Sequence, residues 1–501
     1  MSASQQPSRA VLSGRHAIIV GSGITGLAAS QELRARGAHV TLLERDADPA
    51  LASPREAFET WDRKGATQVR HSHAFLGRLR RLLRERYPEL LEALLAAGAR
   101  ELRMMEHPPL TLRGLKPEPG DEELVALGCR RTTFEWVTRG FVLSHGDVSV
   151  IPNASVRGLL TAGGDPPVVC GVRYAAAGSE VDLRGDLVID ASGRQSSAPK
   201  WLAEIGARTP FERQEQSGIV YYTRFYRLLP GAAEPPRSEH PTAADFNWVK
   251  YAVFPADDRT FSITLASPLA FPRLKVLAKT PAFDEMVRSI PALAPWVDPK
   301  ISEPIGDPAH PVQAMGGLIN RLRRFVDERG PIAIGLFVLG DAAYCTNPLY
   351  GRGCAQGFLH AQLLGEALDQ HAGDLAAAAV TLDLAARAAI EPFYRASVIA
   401  DREAVRKAEG RLPSRWSARL RQRFFDDGVA VATRCDPVVF RAFIRMMNML
   451  ETPEQAFGHL NVVLRSLRVW LRGRRYNRRY ATPLPPDPEA TIARCEAAAS
   501  V

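Results

Sequence analysis

The stretch from His16 to Glu44 constrains this chain more than any other. His16-Ala-Ile-Ile-Val20 is a short apolar run of strand composition, and Gly21-Ser-Gly-Ile-Thr-Gly26 follows it directly. LAASQELRAR then has helical periodicity, Gly37 stops it, and HVTLLE reads as a second strand ending in Glu44. The three glycines have different tasks. Gly21 permits a tight turn, Gly23 lets the backbone approach a pyrophosphate, and Gly26 lets the helix pack close to the strand. Glu44, 18 residues beyond Gly26, is placed to accept hydrogen bonds from a ribose, and Ile24, Thr25 and Arg45 flank these contacts. Strand, turn, helix and acid in this order predict a dinucleotide-binding βαβ unit.

Leu339 to Gly357, LGDAAYCTNPLYGRGCAQG, has related logic. The apolar run Pro331 to Leu339 predicts a buried strand and Cys354 to His371 a helix, so the loop between them ends at a helix start. Unpaired N–H groups and the positive end of the helix dipole make such a turn an anion site. Leu187-Val-Ile-Asp-Ala-Ser-Gly-Arg194 is a third strand running into a Gly turn, with Asp190 at the strand's end.

At 501 residues the chain is long enough for two to four units. The six cysteines show no pairing or metal-ligand spacing and read as free thiols. No apolar run reaches the roughly 18 residues that span a bilayer, and the first residues lack the apolar core of a signal peptide, so a cytoplasmic location is expected. The net charge of +9 is concentrated. Residues 411–480 hold fifteen arginines, no lysine and five acids, leaving the remainder nearly neutral.

Residues 1–14 and 481–501 read as flexible tails. Residues 50–130 are largely helical in pattern. His71 and His73 form an H-x-H pair without a third ligand at a usual spacing, so surface or packing roles are preferred and no metal is expected. Arg131 to Arg139 predicts an amphipathic helix, and 148–190 a meander of short strands. Between 210 and 330, β-like stretches flank a Pro-rich helical insert, with aromatics from Tyr221 to Phe254 that suit either strand core or a pocket wall. Residues 374–410 read as one Ala-rich helix. Further on, Leu460, Val463, Leu464, Leu467 and Leu471 share a helical face from which Arg465, Arg468 and Arg472 diverge. The preferred reading is a helix packed on the body with solvated arginines; the other is a basic amphipathic helix resting on an anionic membrane. The fold class expected is mixed α/β. A Rossmann-like domain (15–205 and 331–375) is interleaved with an antiparallel-sheet domain (206–330), and an Arg-rich helical region (376–480) follows.

Taken together, GSGITG with Glu44, LVIDASGR and LGDAAYCTNPLYGRG resemble the FAD-dependent monooxygenase superfamily of para-hydroxybenzoate hydroxylase fold over about residues 15–400. The run RKGATQVRHSHAFL with DASGRQSSAPKWL looks closer to its polyether polyene epoxidase branch. The resemblance implies that Gly21, Gly23 and Gly26 hold the FAD pyrophosphate, Glu44 the ribose, and Arg131 another part of the cofactor. Asp190 and Gly193 would form the second cofactor motif, here DASG where many members have ADG. Asp341, after Gly340, would bind the ribityl chain. Pro348 to Ala355, with Gly351, Gly353 and Cys354, would pass the isoalloxazine ring, where Arg352 is a candidate catalytic cation. The implied reaction is reduction by NAD(P)H, O2 addition at flavin C4a, and transfer of one oxygen from the hydroperoxide to an apolar alkene or aromatic substrate.

With no second GxGxxG, NAD(P)H would dock transiently or a reductase partner would deliver electrons. No nucleic acid partner is expected. Two other readings stay open: a reductase of geranylgeranyl-reductase type acting on a lipid, echoed by NWVKYAVFP, and a non-catalytic FAD protein that handles lipid through its Arg-rich region. A halogenase is disfavoured because WxWxIP is absent.

Overall fold

The computed structural model describes residues 11–480 and 485–500. Five strands form one parallel sheet: β1 (His16–Val20), β2 (His39–Leu43), β3 (Val148–Ile151), β4 (Leu187–Asp190) and β5 (Leu336–Val338). Their order is β5-β4-β1-β2-β3. Ala17, Ile18 and Ile19 are fully buried, because a central parallel strand is covered on both faces and is therefore continuously apolar. The helix α1 (Ile24–Arg34) follows β1, α2 (Arg131–Leu143) precedes β3, and α3 (Gly353–Gln370) packs along α1. The meander expected over 148–190 is present only in its middle, as strands 155–161, 169–176 and 179–184; its first and last strands are β3 and β4 of the parallel sheet.

Between β4 and β5 the chain builds an antiparallel sheet around Ile219–Leu228, which pairs with Thr260–Pro268 on one side and Ser302–Ile305 on the other. Tyr222, Tyr226, Trp248 and Tyr251 belong to this sheet's own hydrophobic core, so for them the strand-core alternative holds.

Several expectations are corrected. The helical expectation for 50–130 holds over 54–96, in helices Pro54–Thr60, Gly77–Arg86 and Pro88–Ala96, and fails beyond it: Arg100–Arg103 pairs with Val125–Gly128, and Pro108, Pro109, Pro117 and Pro119 keep a helix from running between them. Only Leu336–Val338 of the run 331–339 joins the parallel sheet. Gly335 turns the chain there at φ +81°, and a Cβ on it would lie 2.8 Å from the Val169 carbonyl oxygen. Residues 374–410 form two helices, Leu375–Ala389 and α4 (Glu391–Ala408), divided at Ile390 ahead of Pro392. The tail expectation lies outside the described residues at 1–10, 481–484 and 501. Elsewhere it fails. Leu12 is buried, and helix Pro488–Ala498 docks on helix Thr280–Ser289 through Ile492 and Cys495, with Arg273 paired to Glu489 and Glu496.

The C-terminal region contains α5 (Trp416–Phe424), followed by a π-turn at Phe425–Val429, and α6 (Leu460–Leu471). The helix α6 packs on the body with Arg468 and Arg472 exposed, as preferred, but through the face opposite the leucines. Val462, Ser466 and Val469 are buried, whereas the Leu460–Leu471 face points away from the body. The partner surface approaches closely: a Cβ on Gly428 would lie 3.0 Å from the Trp470 Cβ and 3.2 Å from the Ser466 carbonyl oxygen. Such an approach selects the smaller side chains for the buried face.

Candidate functional site

The starts of α1 and α3 open onto one cavity of about 360 Å³. Thr25 joins them: a Cβ on Gly340 would come within 2.4 Å of its Oγ1, and one on Gly357 within 2.5 Å. Only glycine at both positions lets the two helix starts sit this near. Gly21, at φ +97°, turns the chain against Ala191, and a Cβ on Gly26 would fall 1.9 Å from the Gly21 carbonyl oxygen. A Cβ on Gly23 or on Gly193 would meet nothing within 4 Å, and both residues line the cavity.

Glu44 stands at the α1 end. Its Oε2 accepts from Ser22 N at 3.1 Å and Ser22 Oγ at 2.7 Å, and its Oε1 from Asp46 N at 3.0 Å. Burial opposes its ionisation, but the Arg63 charge at 3.2 Å and these hydrogen bonds hold its pKa below the ordinary value. Arg63 also pairs with Asp46 at 3.3 Å and Glu135 at 2.6 Å. Glu135 in turn accepts from Arg131 Nε at 3.1 Å, and Arg131 Nη1 donates to Cys354 Sγ at 3.0 Å in the first turn of α3. A chain of buried, paired charges thus runs along the cavity from one helix start to the other.

At the α3 end, Asp341 has no hydrogen-bond partner for its carboxylate among the described residues, and it lines the cavity. Burial raises its pKa, opposed by the charges of Arg194, Arg131 and Arg321. The loop before α3 is held firmly. Asn347 accepts from the Tyr221 hydroxyl and donates to Asp401 Oδ1 at 2.9 Å. Tyr350 OH donates to the same oxygen at 2.9 Å, and Asn320 donates to Asp401 Oδ2 at 2.7 Å. The far wall is made by His71, Ser72, His73 and Met315. Ser72 Oγ lies 2.7 Å from both Ser262 Oγ and Thr264 Oγ1, and His71 Nδ1 is 3.1 Å from Thr223 Oγ1, so this segment is fastened to the antiparallel sheet.

A model of the NAD(P)-binding Rossmann-like domain matches residues 19–85. The chain is 28% identical to protein Rv3254 of Mycobacterium tuberculosis, across 93% of this chain and 97% of that one. The flavin-dependent halogenase CmlS superposes with a TM-score of 0.58 at 16% identity, covering 91% of this chain and 77% of CmlS. OxyS anhydrotetracycline hydroxylase from Streptomyces rimosus superposes with a TM-score of 0.55 at 19% identity, covering 87% of this chain and 76% of OxyS. The fold is that of the flavin-dependent monooxygenases. Two features of this chain fit the flavin dinucleotide of that fold. Backbone at Gly23 and Gly193 borders open space that a side chain would fill, and the Asp341 carboxyl faces the cavity without a donor.

Within the flavin-monooxygenase fold, most residues singled out in the sequence line the cavity: Gly21, Gly23, Ile24, Thr25, Glu44, Arg45, Arg131, Gly193, Asp341, Pro348, Gly351, Gly353 and Cys354. Gly26, Gly340 and Ala355 do not; the two glycines allow close packing instead. Asp190 is a correction. It is fully buried, and its carboxylate accepts from Ser192 N at 2.9 Å, from Ser192 Oγ and from Ser196 Oγ, so it shapes the turn without reaching the cavity. Arg352 Nη1 donates to the Phe393 carbonyl at 2.9 Å and to Ser397 Oγ at 2.7 Å, so the residue tethers the loop to α4 while bordering the cavity. Burial pushes its pKa down to about 10.

Sequence reasoning missed Arg63, His71, Ser72, His73 and Arg194. His71 is packed against Thr223, and both His71 and His73 border the cavity. The density of polar residues in RKGATQVRHSHAFL was the available signal for four of the five.

Burial pushes the pKa of His71 to about 4 and those of His73 and His360 to about 3. His360 Nδ1 accepts from Gly340 N at 3.1 Å, so this histidine works as the neutral base. The folded values lie below the ordinary one near 6.5, and the unfolded chain therefore takes up these protons first. Stability is complete above about pH 6.5 and is lost as pH falls toward about 3. Urea midpoints measured from pH 7 to pH 4 should fall, and His360→Asn, which keeps an acceptor for Gly340 N, should reduce that slope. An unchanged slope in the variant would remove His360 from the account.

Proposed function

We propose that the protein is an FAD-dependent monooxygenase, reduced by NAD(P)H, that places one oxygen atom from O2 on an apolar alkene or aromatic substrate by epoxidation or hydroxylation. One observation carries this reading: two helix starts, one beside Glu44 and the other beside Asp341, open on a single cavity that also reaches the His71–His73 segment and Met315 of the antiparallel sheet. FAD would lie with its ribose at Glu44, its pyrophosphate over Gly23, its ribityl chain at Asp341 and its ring near Gly353 and Cys354. When bound, it supplies the redox chemistry and the activation of O2.

The chain's own residues do the rest. The N–H groups at the start of α3 favour negative charge at the ring edge they face. The Asn347–Asp401 network fixes the loop beside the ring, and Arg352 anchors that loop to α4. The far wall supports an apolar substrate, because burial keeps His71 and His73 neutral and the Ser72 hydroxyl is already engaged. Electrons would come from NAD(P)H docking transiently or from a reductase partner.

The test is mass spectrometry of products from a panel of polyenes and phenols supplied with NADPH and labelled O2. Products carrying one labelled oxygen are expected. A saturated product formed only in the absence of O2 would replace this reading with a lipid reductase.

A further inference from the structure

The helix α6 carries apolar residues on two opposite sides, and only one side is covered. Val462, Ser466 and Val469 pack on a small C-terminal core with Ala432, Val439 and Ala442. On the other side, Leu460, Leu464 and Leu471 are 72%, 53% and 72% exposed. The segment leading through α5 packs on α6, where the Phe424 ring meets Trp470 edge-on at 5.8 Å. It adds Leu412, Trp416 and Phe425 at 72%, 75% and 52% exposure. Two neighbouring segments thus offer Leu, Trp and Phe to solvent.

The unpaired charge around these segments is mostly positive, with Glu454 the exposed acid that no arginine or lysine engages among the described residues. Asp426, Asp427, Asp436 and Glu451 are engaged by Lys407, Arg474, Arg465 and Arg445. Arg415, Arg421, Arg423, Arg468 and Arg475 are exposed and have no carboxylate partner among the described residues. Arg468 stands four residues after Leu464 and three before Leu471, so it flanks the leucine face.

We propose that α5 and α6 form a docking surface for an anionic lipid bilayer. Trp416, Leu464 and Leu471 enter the headgroup boundary, and the arginine rim pairs with lipid phosphates and anionic headgroups. Guanidinium forks match phosphate geometry. A second copy of the chain would bring its own arginines against these, and a nucleic acid backbone would leave the leucines in water. No helix among the described residues is long and apolar enough to cross a membrane, so the contact is with the surface. The inference stands apart from the flavin reading.

The test is co-sedimentation of the full chain with vesicles of phosphatidylcholine alone and of phosphatidylcholine mixed with phosphatidylglycerol. Binding to the mixed vesicles is expected, with little to the neutral ones. It should weaken about tenfold when salt rises from about 0.1 M to about 0.5 M. Leu464→Glu with Leu471→Glu, and separately Arg468→Glu with Arg475→Glu, should each weaken it about tenfold or more. Both pairs are exposed, so the far-UV spectrum and melting temperature should match the wild type. The proposal is overturned by no binding to mixed vesicles, by equal binding of the folded variants, or by Leu464-dependent self-association or duplex DNA binding without vesicle binding.

Discussion

Gly23→Val should give a folded protein that has lost its flavin. Purified wild-type protein should be yellow; the variant should be colourless, with a melting temperature within a few degrees of the wild type. The three glycines of the turn separate folding from binding. Substitution at Gly26 drives a Cβ to 1.9 Å from the Gly21 carbonyl oxygen, and substitution at Gly21 puts one 2.9 Å from the Ala191 carbonyl oxygen at a φ of +97°. Those changes disturb the strand–helix packing itself. Gly23 has φ −73°, which any residue accepts, and its Cβ would enter open space at the cavity wall. Valine there takes the volume over which a pyrophosphate must approach the backbone N–H groups. Hydrogen bonds to a charged group contribute about 1.5–3 kcal/mol each. Losing two of them weakens binding by roughly a hundredfold or more. Absorbance near the flavin bands after gel filtration, set beside a melting curve, reads both quantities. A Gly23→Val protein as yellow as the wild type would place the cofactor elsewhere.

The readable parts of the fold were those whose causes are local. A strand, a Gly turn, a helix and an acid in sequence put Glu44 just past β2 and on the cavity, because the distance between the ends of adjacent parallel strands is set by one βαβ unit. Asp190 looked equivalent at the end of β4, yet two serines within six residues take its carboxylate, as short hydroxyl side chains near an Asp commonly do. Arg63 and His71 were out of reach for a different reason. Arg63 acquires its role by meeting Glu44 and Glu135, and His71 by meeting Thr223 across 152 residues of chain, so neither role is written in local pattern. The α6 helix shows periodicity giving a plausible wrong answer. The larger side chains mark one face, but the close approach of Gly428 to Ser466 selects the other for burial.

Asp341→Ala should weaken flavin retention by about tenfold to a hundredfold, the equivalent of one lost charge-assisted hydrogen bond. Arg465→Ala should leave it unchanged, because Arg465 pairs with Asp436 at 3.1 Å on the C-terminal helices. The Asp341 carboxyl is an unusual group to bury beside a cavity without a donor. Its pKa is raised by that burial, and a hydroxyl donated by a bound ribityl chain would stabilise the ionised form and lower it again. The sign follows from linkage. If the ligand lowers a raised carboxyl pKa, binding releases a proton, so affinity grows as pH rises through the raised value and levels off above it. Asp341→Asn keeps an acceptor but cannot titrate, so it should bind more tightly than Asp341→Ala while losing this pH dependence. Dissociation constants from flavin fluorescence quenching across the acid range, for the wild type and the three variants, separate these outcomes. Equal losses in Asp341→Ala and Arg465→Ala would mean that the carboxyl does not touch the cofactor. A wild-type pH profile matched by Asp341→Asn would assign the proton to another group.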